Sequence, residues 1–154
     1  QDDLARFESN RPRESASLTS TDSALVQLAN PDPFSRARAR QFLGQTLSQT
    51  DIASFFQKTD GPTKVEFLLM LRDQHPAEVD DLLRTALKDN DPSVRLVTIQ
   101  WIGDKNLQAF RGDIEQLLAQ PFPWTRSLFE STLASLDLLD KHWARADAGS
   151  QFIA

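Results

Sequence analysis

The sequence predicts an all-α fold, a solenoid of about four helix pairs stacked in a row. Three observations predict it. Prolines 33, 62, 92 and 123 recur at spacings of 29, 30 and 31 residues. Apolar residues on either side of each proline recur at three- and four-residue intervals, the helical period. Strand signals are scarce: of 154 residues 5 are Gly and none is Tyr, and β-branched runs are few, whereas a barrel or sandwich needs many turns and strands.

The elements follow in order. Residues 1–21 are polar, with isolated Leu4, Phe7 and Leu18, and read as an arm or linker with a short helix around Asp3–Ser9. Residues 22–143 carry the repeat. Its first helices are expected over Ser23–Ala29, Asp51–Lys58, Glu78–Lys88 and Arg111–Ala119. Its second helices are expected over Phe34–Leu47, Thr63–Arg72, Ser93–Gly103 and Trp124–Leu139. Between them lie Asn30-Pro31-Asp32-Pro33, Asp60-Gly61-Pro62, Asn90-Asp91-Pro92 and Gln120-Pro121-Phe122-Pro123. Asp or Asn before Pro starts a helix for a physical reason. The side chain accepts a first-turn N–H, and Pro fits where its missing N–H is not needed. Residues 144–154 read as a linker or the start of a next element. The chain opens on Gln1-Asp2-Asp3 with no initiator Met, so a processed chain or a fragment is expected.

Aligning the units on their prolines gives finer matches. Arg36, Arg95 and Arg126 stand three residues after a proline, Phe42 and Trp101 nine, Leu43 and Ile102 ten, Gly44 and Gly103 eleven. The second unit departs: Val65 takes the Arg position with Lys64 beside it, and Asp73 takes the Gly position. The stretch Leu87–Arg95, continuing to Trp101-Ile102-Gly103, resembles a HEAT repeat. Leu28–Arg36 with Phe42-Leu43-Gly44 is similar, and Pro121–Arg126 running to Leu133 is a looser match. The resemblance covers residues 22–140 and implies a right-handed α-α superhelix that binds a protein segment or a neighbouring domain. More loosely, Leu128–Asp140 resembles the HEAT segments of large secreted bacterial proteins, membrane-bound dehydrogenase-like or haem c-binding, which implies an extracytoplasmic location. The haem motif of those proteins is absent here.

Composition narrows the function. The net charge is −5 and the pI about 5.0, against the basic surplus that phosphate binding requires. No apolar run approaches the roughly 18 residues that span a bilayer, and no secretory signal is visible. With no cysteine there are no disulfides, thiolate metal sites or thiol nucleophiles. His75 and His142 lack metal-pair spacing, and neither is followed by Glu, as the repeated His-Glu pairs of di-iron HEAT-like hydroxylases would be. Glu78, Asp80 and Asp81 open a helix and complement its dipole. No phosphate loop, nucleophile elbow or zincin motif appears.

The expectation is therefore a non-catalytic interaction or spacer module with no cofactor and no metal. Its candidate partner-binding residues are Arg36, Arg40, Lys64, Arg95, Arg126 and Trp124. For Arg36, Arg95 and Arg126 the favoured role is an inter-repeat polar ladder reaching the aspartate or carbonyls of the neighbouring turn, with anion binding on one edge as the lesser one; Arg36, Arg38 and Arg40 form the densest basic cluster, with 36 and 40 on one face. Trp101 reads as core, one of Phe55 and Phe56 as core and the other as groove, and Trp143 as an end cap or a contact with a further domain. The alternative is a nucleic-acid-directed enzyme like the HEAT-like alkyl-base DNA glycosylases, using Trp101 and Asp104, or a tetrapyrrole-handling protein.

Overall fold

The computed structural model describes residues 20–74 and 79–151, with Gln74 and 142–151 described by backbone alone. Every regular element among these residues is helical, so the fold is all-α. The helices are α1 (Thr21–Leu28), α2 (Pro33–Thr46), α3 (Gln49–Lys58), α4 (Gly61–Gln74), α5 (Asp80–Leu87), α6 (Pro92–Asp104), α7 (Arg111–Leu118) and α8 (Arg126–Gln151). A 3-10 turn over Gln108–Phe110, not foreseen from the sequence, leads into α7. The expected short helix near Asp3, His75 and Glu78 lie outside the described residues.

The helix starts show why the Asx-Pro turns matter. Asp32 accepts the Ser35 N–H at 2.9 Å, Asp60 that of Thr63 at 3.1 Å, and Asp91 that of Ser93 at 2.8 Å. These bonds satisfy first-turn donors that otherwise lack partners. At α3 a capping box does the same, Ser48 and Asp51 each accepting from the other's backbone. The C-terminus of α6 closes on Asn106, whose φ of 53° lies in the left-handed region. The Asn106 and Leu107 N–H groups there donate to the carbonyls of Gly103 and Ile102, a Schellman arrangement.

Helix α8 departs from expectation at both ends. It begins at Arg126 instead of Trp124, because Phe122 and Trp124 offer no acceptor, whereas Thr125 does: its Oγ1 accepts the Leu128 N–H at 3.2 Å. It continues to Gln151, well beyond Leu139, because the alanine-rich stretch after Lys141 favours helix and carries no proline.

The chain divides into two compact units, one ending at Thr46 and one beginning at Leu47. In the first, α1 and α2 form a hairpin, with Ala24, Leu28, Ala39 and Leu43 buried. In the second, α3 pairs with α4, α5 with α6, and α7 with α8, while α6 packs on both α4 and α8. Phe56, Phe67, Leu83, Ile99, Trp101, Ile102, Phe110 and Ile114 fill this core. At roughly 1.5–3 kcal/mol for each large apolar side chain, their burial holds the unit together.

Numbering each second helix from its own first residue reveals a register that the proline alignment misses. Ala39, Phe67, Thr98 and Thr132 stand six residues along their helices, and all are fully buried. Thr98 and Thr132 also make the same bond, each hydroxyl donating to the carbonyl four residues back, of Val94 and Leu128, at 2.7 Å. In this register the position of Arg36 and Arg95 belongs to Lys64 in α4 and to Phe129 in α8. Val65 and Arg126, which the prolines place there, are displaced because α4 starts one residue before Pro62 and α8 starts three after Pro123.

Close approach along this series depends on small side chains. A Cβ on Gly103 would lie 2.7 Å from Ser135 Oγ and 3.0 Å from Ser135 Cα. The Ser135 hydroxyl itself donates to the Ile99 carbonyl at 2.9 Å, so α6 and α8 meet nearly backbone to backbone.

Candidate interaction surfaces

The repeated basic position is built into the fold in three of the four second helices. Arg36 Nη1 donates to the carbonyls of Asn30 and Pro31, both at 2.8 Å. Arg95 does the same two units on, donating to the carbonyls of Asp89 and, at 3.3 Å, Lys88. These carbonyls belong to the turns that follow α1 and α5, so in α2 and α6 the arginine ties the helix to the turn within its own pair. Lys64 is different and reaches forward: its Nζ lies 2.7 Å from Asp89 Oδ2, in the turn of the next pair.

Asp89 thus stands between two cations. Burial pushes its carboxyl up, but the Lys64 ammonium, the Asp91 N–H and the Arg95 charge together hold it below the usual carboxylate range. Arg95 is itself buried at 7% exposure, which lowers its pKa, while Asp89 opposes that shift. Its guanidinium also lies over the Phe122 ring at 3.6 Å, a desolvated cation–π contact worth roughly 2 kcal/mol. As a candidate for an exposed binding surface, Arg95 is corrected: it is buried, its Nε and Nη2 are spent on turn carbonyls and one face of its guanidinium lies against Phe122. Lys64 is similarly taken up, its side chain 19% exposed.

Further ion pairs join neighbouring helices. Arg72 meets Asp104 at 3.1 Å, Arg84 meets Asp113 at 3.6 Å, and Arg111 meets Asp140 at 2.6 Å. The Arg111 guanidinium holds the Asp140 carboxyl below its usual range, and Asp140 raises Arg111 in turn. These pairs are largely solvent-exposed and screened, so each contributes little.

Arg126 and Trp124 belong to another environment. The Arg126 side chain is 90% exposed and pairs with Glu130, one turn on, at 2.7 Å. Trp124 is half-buried between Phe122 and Phe129, edge to face with each, at 6.3 and 6.0 Å between ring centroids. Phe129 and Leu133 beside it are each 45% exposed, so the start of α8 carries an uncovered apolar strip.

A shallow open groove of about 460 Å³ lies between α6 and α8, lined by Leu96, Gln100, Ser127, Glu130, Ser131 and Ala134. Gln100 and Ser131 meet across it at 3.4 Å. None of these six was singled out in the sequence, since the signal is the pairing of two helices, not a motif.

The remaining candidates are placed as follows. Arg36 and Arg40 are half-buried and Arg38 is exposed, consistent with one shared face for the first two. Phe56 is core, and Phe55, half-buried, stacks on Phe67 at 6.4 Å. Trp101 is 1% exposed and Asp104 is paired with Arg72, so this tryptophan face is not open to a nucleobase. The side chains of His142 and Trp143 lie outside the described residues. Among the described residues no three His, Cys, Asp or Glu side chains gather as a metal site, and no helix is long and apolar enough to cross a membrane. No protein-family model matches the chain, and neither the curated proteins nor the solved structures include a significant match.

Proposed function

We propose that this chain is a non-catalytic interaction or spacer module, a right-handed HEAT-like superhelix that receives a protein segment or a neighbouring domain. The observation that carries the reading is the shared register of the second helices. Lys64 and Arg95 occupy equal positions and are spent on the turns between helices, which is what a stacked array needs and a catalytic site does not. The groove between α6 and α8 is the surface proposed for a partner, being open, of mixed polarity and formed by two packed helices. An extended segment fits such a surface, with Gln100, Ser127, Glu130 and Ser131 supplying hydrogen-bond partners.

The test is affinity capture from the protein's own source cells, run in parallel with wild type and Ser131→Arg, which fills the groove. A protein retained by wild type and lost with the variant, at unchanged helicity, is the expected outcome. Identical captured sets would remove the groove from the reading.

A further inference from the structure

We propose that α8 is a self-association surface, on which a second copy of the chain lies antiparallel across a two-fold axis near Leu133. The positions three, seven and ten residues along α6 are Arg95, Ile99 and Ile102, all buried. Ile99 and Gly103 lie on the side that α6 turns to α8, where Ser135 reaches the Ile99 carbonyl. The same three positions in α8 are Phe129, Leu133 and Leu136: the first two are 45% exposed and the third is half-buried. Beside its contacts with α6 and α7, α8 thus carries an exposed apolar strip at the positions that α6 buries.

The charges beside this strip favour a second copy as the occupant. Arg126 and Asp140 stand seven residues before and seven after Leu133, two turns either way, and so share its face. An antiparallel copy centred on Leu133 brings Arg126 of each chain to Asp140 of the other and sets Phe129 beside Leu136. Asp140 already receives Arg111, and a carboxylate has acceptor sites for a further donor. Arg126 brings a guanidinium engaged only with an exposed Glu130 among the bonds it makes here. A two-fold contact of this kind is self-complementary and closes at two chains, whereas a head-to-tail contact would grow without limit.

The proposal does not depend on the α6–α8 groove, so it stands or falls apart from the proposed function. Sedimentation equilibrium of the full chain, from low micromolar to hundreds of micromolar, is expected to show a reversible monomer–dimer equilibrium. Leu133→Glu, on an exposed position, is expected to give monomer with unchanged helical circular dichroism, and Phe129→Ser checks the same face by a second route. Arg126→Asp is expected to weaken the dimer about tenfold, equivalent to about 1.4 kcal/mol, and Asp140→Arg added to it to recover most of the loss. A wild-type chain that stays monomeric throughout, a dimer that Leu133→Glu leaves intact, or a double variant no tighter than Arg126→Asp alone would each overturn the proposal.

Discussion

Helices α6 and α8 are built on the same register but enclosed differently. Helix α6 has neighbours on both sides, and Val94, Arg95, Thr98, Ile99, Trp101, Ile102 and Gly103 are all buried. Helix α8 buries a narrower stripe, Leu128, Thr132, Ser135 and Leu139. The difference teaches that an apolar residue in such an array is core or surface according to what stands beside its helix, not according to its place along it. Ile99 and Leu133 occupy one position, yet the first is fully buried and the second is 45% exposed.

The sharpest way to break this comparison is to cut both helices back at that shared position. Ile99→Ala is expected to cost about 2–5 kcal/mol of folding stability through the cavity it leaves. Leu133→Ala should cost less than about 1 kcal/mol in denaturant melts at concentrations where the chain is monomeric. Equal losses would mean that α8 is as enclosed as α6.

Next in size is the contrast between two arginines. Arg95→Ala strands the carbonyls of Lys88 and Asp89 and removes the contact over Phe122, an expected loss of about 1–3 kcal/mol. Arg126→Ala removes an exposed pair and should change the same melt by no more than about 0.5 kcal/mol.

The glycines extend the test to backbone spacing. Gly103→Ala forces Ser135, backbone included, away from α6 and should destabilise by about 1–3 kcal/mol. Gly112→Ala meets nothing within 4 Å and should stabilise α7 by about 0.5 kcal/mol, visible as a higher melting temperature.

The smallest expected effect is a pH dependence at the Lys64–Asp89 contact. A carboxyl held below its ordinary value stabilises the fold above that value, near 3.9, and loses this contribution as pH falls through its lower folded value. Asp89→Asn should therefore be less stable than wild type at neutral pH, with the gap narrowing below about pH 4. A gap that stays constant from pH 7 to pH 2 would remove the charge from the account.

Much of the fold was legible in the sequence, because the signals are local. Alternating apolar spacing and Asx-Pro turns act within a dozen residues, and α2, α3 and α6 lie within two residues of where they place them. The register was not legible, because proline marks a helix start only approximately. Pro62 is the second residue of α4, and Pro123 lies outside α8 altogether. That small offset hid the equivalence of Lys64 with Arg95 and put Arg126 where Phe129 belongs. Arg36 and Arg95 reach carbonyls as expected of a ladder, but those of the turn within their own pair and not of a neighbouring one, and Arg126 pairs with Glu130 instead. The groove between α6 and α8 was out of reach, since it depends on which residues of two distant segments face one another, and no local pattern encodes that.

Among the described residues α4 is tied to α6 and the turn before it by Lys64–Asp89 and Arg72–Asp104, and α8 is tied to α6 by Ser135–Ile99. Tension applied along residues 47–154 would therefore be carried by each tie in turn. Extension would come as discrete lengths released one hairpin at a time, and a chain relaxed soon enough would recoil from whatever pairs were still folded.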